Sequence, residues 1–129
     1  MILTLKDQFS SAHFYHQPLW DEEKNKKTFG RCFTEFGHGH NYILEVGFRT
    51  EELAIENDKK NYVALLKKLT SVLDHEHLNL VIPEFKTTIP TTENIVLYFV
   101  EKLKQEIPER KISFVRVYEM NNLWAEIKL

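Results

Sequence analysis

Two histidines one residue apart, in Cys32-Phe-Thr-Glu-Phe-Gly-His-Gly-His-Asn-Tyr42, are the side chains whose type and spacing point most directly to chemistry. Successive side chains in an extended strand alternate between faces, so His38 and His40 project from one side. Gly39 adds no bulk to the other side and would let a second backbone approach closely. Two imidazoles on one face are two ligands of a metal site, and a catalytic zinc usually takes three protein ligands and keeps a fourth position open. His13, which closes Phe9-Ser-Ser-Ala-His13, is the third candidate. If the strand ending at His13 lies antiparallel to the one starting near His38, the three imidazoles reach one face. Three neutral imidazoles suit zinc, and an open position would let the ion polarise substrate oxygens.

Other residues could complete such a site. Cys32 has three readings: a fourth ligand that closes the site, a thiolate made by a nearby cation, or a buried small hydrophobe. Its place in a polar, glycine-bearing segment favours a functional thiol. Glu35, three residues before His38, is either a loop carboxylate or a group that moves a proton. Asp74-His75 follows a helical pattern. A carboxylate can orient an imidazole, but sequence neighbours do not face each other on a regular helix, so their pairing requires an irregular turn. Thr91-Thr92-Glu93-Asn94 reads as a helix start, with a threonine cap and an acidic first turn. Glu119, near a strand end, could accept hydrogen bonds from an amino-pyrimidine edge or face solvent.

The elements that must carry these residues follow from periodicity. Met1–His13 and Gly39–Thr50 read as strands, the second with His40, Tyr42, Leu44, Val46 and Phe48 on its core face. Phe14–Arg31 reads as a long charged surface loop. A helix is expected over Asp58–Leu73, capped by Asp58 and burying Tyr62, Leu65, Leu66, Leu69 and Leu73. Leu80–Pro90 is irregular, and a second helix from Thr91 or Thr92 ends before Pro108. Lys111–Glu119 and Leu123–Leu129 complete the pattern around a turn at Met120-Asn121-Asn122. This predicts an α+β fold: one domain over 1–129, with a four-stranded antiparallel sheet of ββααββ order and two helices on one face. Apolar residues on the uncovered face would invite burial against other subunits.

Composition sets outer limits. A net charge of −2 gives no electrostatic footprint for nucleic acid. No apolar run is long enough to span a bilayer. One cysteine among 129 residues forms no internal disulfide, which fits a reducing cytoplasm.

Taken in order, Phe9-Ser-Ser-Ala-His13, Cys32 with His38-Gly-His40-Asn-Tyr42, Leu73-Asp-His75 with Leu78-Asn79, Pro90-Thr-Thr-Glu-Asn94 and Val117-Tyr-Glu119 resemble the 6-pyruvoyl-tetrahydropterin synthase family, which includes the 6-carboxy-tetrahydropterin synthases. The resemblance implies a tunnelling fold in which trimers pool their strands into a barrel and stack as a hexamer, with active sites between subunits. It implies that His13, His38 and His40 bind zinc, that Cys32 abstracts a proton, and that Asp74 and His75 relay it. It implies that Glu119 anchors a pterin ring and joins the relay, with Thr92 and Glu93 helping to hold that ring. The implied substrate is 7,8-dihydroneopterin triphosphate.

Five residues separate Cys32 from His38, as in pyruvoyl-type members. The pattern Cys-x-x-Glu-x-x-His-Gly-His also resembles a bifunctional bacterial subclass. That likeness implies 6-carboxy-tetrahydropterin for a queuosine route, 6-hydroxymethyl-dihydropterin for folate, or both, with Glu35 as a second base. The competing expectations are a 6-pyruvoyl-tetrahydropterin synthase proper, a zinc hydrolase or cyclohydrolase acting on a purine or pterin, and a non-catalytic pterin- or metal-binding domain.

Overall fold

Strand β1 (Ile2–His13) and strand β2 (His38–Arg49) pair antiparallel along their whole length. Phe9 faces Tyr42, Ser11 faces His40, and His13 faces His38. This register places every second residue of each strand on one shared face. The computed structural model of the chain describes residues 1–17, 19–30 and 37–129. Cys32 and Glu35 lie outside the described residues.

Strand β4 (Ile112–Met120) pairs with β2, and β5 (Leu123–Lys128) pairs with β4 around a turn at Asn121-Asn122. Among the described residues the sheet is open and has five strands in the order β3-β1-β2-β4-β5, one more than the sequence predicts. The addition, β3, is only Glu76–His77, runs parallel to β1 beside Ser11 and Ala12, and leads straight into the one-turn helix α3 (Leu78–Val81). Two residues carry no readable alternation, which is why the pattern hides it.

Helix α2 (Ile55–Leu73) packs against β1, and α4 (Thr92–Glu106) against β4 and β5. Leu66, Leu69 and Leu73 of α2 and Ile95, Phe99 and Leu103 of α4 meet Phe9, Tyr42, Leu44, Val46 and Phe48 in one core. The α2 start differs from expectation. A 3-10 turn at Glu52–Ala54 leads into Ile55, and the Asp58 carboxylate accepts from the Thr50 hydroxyl instead of capping the helix. Thr91 does cap α4, accepting from the Asn94 N–H at 3.2 Å.

The charged segment after β1 contains a helix where a loop is expected. Helix α1 (Glu22–Phe29) starts at Asp21, whose side chain accepts from Lys24 N–H at 2.7 Å, and ends at Gly30 with φ +54°. Glu22 and Glu23 in the first turn and Lys26 and Lys27 in the last complement the helix dipole. Asn25 is fully buried. Its carboxamide accepts from Gln17 N–H and donates to the carbonyls of Gln17, Trp20 and Asp21, tying the loop to the helix.

The uncovered face is more polar than expected. Arg116 donates to Glu126 and Glu45, Lys6 pairs with Glu45 at 3.3 Å, and Tyr118 adds its hydroxyl. Phe114 and Trp124 share this face by register. A bulge between Gly47 and Phe48 turns Ile112 into the core, where strict alternation would leave it beside Phe114.

Candidate active site

The full β1–β2 ladder delivers three imidazoles to one spot. His13 Nε2 lies 3.2 Å from His38 Nε2, and one nitrogen from each of His13, His38 and His40 lies within 4.8 Å of the others. His13 is completely buried. Burial, with His38 and His40 close by, pushes its pKa down to about 3, so it is neutral at pH 7. Burial also lowers the pKa of His40, against an opposing pull from Glu119. The far side of the His13 ring is served by the Tyr42 hydroxyl, 2.8 Å from Nδ1. Such bonds orient a ligating imidazole and fix which nitrogen is free.

The donor set fits a divalent metal. One ring nitrogen of each histidine converges on the same point, and imidazole nitrogens are donors that zinc takes. His40 Nε2 is buried and makes no hydrogen bond among the described residues. Buried polar atoms are normally satisfied, and an ion at the centre of the triad would supply the missing partner for nitrogens turned toward it. Gly37, at φ +73°, passes so close to β1 that a Cβ there would sit 2.3 Å from the His13 carbonyl oxygen. Gly39 makes no such close approach, since a Cβ there would lie 3.7 Å from Ser11 O. The backbone contact expected at Gly39 occurs at Gly37 instead.

A pocket of about 370 Å³ opens beside the triad, lined by Tyr15, His38, His40, Thr91, Thr92, Glu93, Glu119, Met120 and Leu123. Glu119 is buried, and its Oε1 lies 3.4 Å from Nε2 of both His13 and His40. The sheet carries the carboxylate, and the α4 start carries Thr92 and Glu93.

Asp74 and His75 do not line this pocket. They stand after α2, where His75 takes φ +60°. That left-handed turn is the irregularity their pairing requires, and it brings His75 Nε2 to 3.5 Å from Asp74 Oδ2. Asp74 Oδ1 accepts from Ser10 N–H at 2.8 Å, and His75 N–H donates to Ser10 O at 2.6 Å. The His75 side chain is 84% exposed. It borders a second, open cavity of about 500 Å³ with Ser10, Ser11, Ala12, Gly39, Asn41, Glu76 and His77. His40 borders both cavities.

Residues 2–129 match the family model described as 6-pyruvoyl tetrahydropterin synthase. A 6-pyruvoyl tetrahydrobiopterin synthase from Homo sapiens is 32% identical over 118 residues, 88% of this chain and 81% of that protein. The solved structure of Caenorhabditis elegans 6-pyruvoyl tetrahydropterin synthase superposes with a TM-score of 0.81 at 31% identity, covering 99% of this chain and 96% of that one. This chain belongs to the 6-pyruvoyl tetrahydropterin synthase family.

A further relative, the dihydroneopterin monophosphate aldolase of Pyrococcus furiosus, is 32% identical over 100 residues, 70% of this chain and 77% of that protein. The α+β sheet with two helices on one face is consistent with the tunnelling fold of 6-pyruvoyl tetrahydropterin synthases. Among the described residues no helix is long and apolar enough to cross a membrane. Sequence reasoning passed over Tyr15, whose ring stands 4.9 Å from that of His13, and treated Tyr42 only as core. Strand parity was the available signal for Tyr42, which lies two residues beyond His40 on the same face.

Proposed function

We propose that this chain is a zinc-dependent lyase that converts 7,8-dihydroneopterin triphosphate to 6-pyruvoyl-tetrahydropterin with loss of triphosphate. The observation that carries the reading is the convergence of three imidazoles, two of them in the wall of a pocket that also presents a buried carboxylate. The family model and the human relative bear the 6-pyruvoyl name. That support puts this product ahead of the 6-carboxy product expected from the Cys-x-x-Glu pattern.

His13, His38 and His40 would hold the ion. When bound, zinc supplies Lewis acidity to the side-chain hydroxyls of the substrate. The amino-pyrimidine edge of a pterin presents N–H donors, which Glu119 accepts, with Thr92 and Glu93 framing the ring. Cys32 takes a proton from the side-chain carbon as a thiolate. Asp74 is held by Ser10 N–H and in turn orients His75 to carry that proton. His75 is exposed and does not line this chain's own pocket, so it would serve a site completed by a second subunit of a homo-oligomer, a hexamer by family resemblance.

A second reading has specific support. Glu35 in Cys-x-x-Glu-x-x-His-Gly-His, together with the Pyrococcus aldolase, favours cleavage of the side chain to 6-hydroxymethyl-7,8-dihydropterin. Zinc-loaded protein supplied with 7,8-dihydroneopterin triphosphate and monophosphate, with products identified by mass spectrometry, separates the readings. We expect 6-pyruvoyl-tetrahydropterin from the triphosphate, lost in Cys32→Ala and kept in Glu35→Ala. A 6-carboxy or 6-hydroxymethyl product alone would replace this reading, and turnover of GTP would indicate a cyclohydrolase.

A further inference from the structure

The metal reading leaves one arrangement without a role, and it lies just past the end of β1. Strand β3 pairs with Ser11 and Ala12 and then stops at His77. Phe14, the residue after His13, therefore has no strand beside it on that edge. A side chain takes the strand's place. Asn79 Oδ1 accepts from Phe14 N–H at 2.9 Å, and Asn79 Nδ2 donates to Phe14 C=O at 2.9 Å. One carboxamide thus satisfies both backbone polar groups of the residue that follows the buried ligand. Gly37 closes against the His13 carbonyl from the other strand, and His77, on the same connection as Asn79, stands over it: a Cβ on Gly37 would lie 3.1 Å from His77 Nε2. His13 is gripped from both sides at the one end of β1 where the ladder runs out.

Resting on the metal reading, we propose that Asn79 is a positioning residue that holds His13 in register with His38 and His40 for metal binding. The chemistry selects the residue type. Only a carboxamide offers a donor and an acceptor at this reach, whereas an ionised aspartate offers acceptors alone and would face the Phe14 carbonyl with a negative charge. Groups behind the ligands of a metal commonly change its affinity by about 10- to 100-fold when removed. Asn79 reaches the ligand through the backbone rather than through the imidazole, so its loss should act on metal affinity by freeing the chain just after His13.

The test uses the full chain, stripped of metal and titrated with Zn²⁺ against a chromophoric chelator, then with Co²⁺ followed by its visible spectrum. Asn79→Ala and Asn79→Asp are compared with wild type and with Leu69→Ala, a core truncation remote from the triad that lowers thermal stability. We expect both Asn79 variants to weaken Zn²⁺ binding by about 10-fold or more and to alter the Co²⁺ spectrum, while Leu69→Ala leaves both unchanged. If Asn79→Ala does not fold, Asn79→Asp, which keeps the acceptor for Phe14 N–H, carries the comparison. Affinities within twofold of wild type in the Asn79 variants would overturn this proposal alone, as would an equal loss in Leu69→Ala. Wild-type protein that takes up no metal would overturn the metal reading and this proposal with it.

Discussion

Each histidine of the triad has a distinct physical position, and that makes separate predictions. His13 is the buried one, held neutral by its surroundings. Replacing it with alanine should abolish metal uptake, measured as zinc per chain after dialysis, because two ligands do not make the three that a catalytic site uses. Its depressed pKa also links stability to pH. The unfolded chain takes up a proton on this imidazole below about 6.5, and the folded chain does so only near 3. Between those values the unfolded state binds more protons. Metal-free protein should therefore lose stability as pH falls from 6.5 towards 3, by at most about 1.4 kcal/mol per pH unit for this group. Urea unfolding across that range checks the slope, and His40 adds to it in the same direction. In His13→Ala the slope should be shallower. At Gly37 the prediction is steric. A Cβ there meets the His13 carbonyl at 2.3 Å and the backbone stands at φ +73°, so Gly37→Ala should cost at least about 1–2 kcal/mol and weaken metal binding with it.

At the scale of elements, α1 and the β3 connection are the parts whose existence is decided by capping and by hydrogen bonds rather than by an apolar stripe. Helix α1 is charged along nearly its whole length and buries one polar residue, Asn25. Its stability rests on the Asp21 cap and on the four bonds from the Asn25 side chain. Asp21→Ala should cost roughly 1 kcal/mol. Asn25→Leu should cost more, about 1–3 kcal/mol, since it takes the side-chain partner from Gln17 N–H and from the Trp20 carbonyl. Hydrogen exchange of the α1 amides should rise in both variants while that of α4 stays slow. The signals for α1 were present in the sequence, as an aspartate before it and a glycine after it. They were outweighed by the absence of a hydrophobic period. The Asp74–His75 pair shows the opposite limit. Its contact depends on His75 at φ +60°, a backbone state that no spacing rule reveals.

For the whole molecule, the sheet face away from the helices sets the expectation. Glu45 is 6% exposed on that open face, compensated by Arg116 and Lys6. The Arg116 guanidinium is held firmly charged by its hydrogen bonds to Tyr118 and Glu126, which raise its pKa. Arg116→Met would leave the Glu45 carboxylate short of its main partner and should cost about 1–3 kcal/mol by thermal unfolding. A face carrying both a satisfied ion network and the rings of Phe114, Tyr118 and Trp124 has the mixed character of an interface rim and core. Sedimentation should accordingly give a particle several times heavier than the 15.4 kDa chain. A monomer that turns over at full rate would contradict the shared-site reading of His75.

What the sequence determined by itself was the set of residues sharing a face. Period-two alternation needs no tertiary information, so His38, His40, Tyr42, Leu44, Val46 and Phe48 could be grouped from spacing alone, and the helical stripes of α2 and α4 likewise. The family could be read for a related reason, because its motifs fall in order along the chain. Tertiary structure decided what spacing cannot encode. It set the β1–β2 register that brings His13 opposite His38, the bulge that turns Ile112 inward, the two-residue β3 that draws Asp74 and His75 onto Ser10, and the convergence of Glu119 on two imidazoles. Each of these joins residues far apart in the chain, and such pairings are selected by the packing of the whole core rather than by any local preference of the residues that meet.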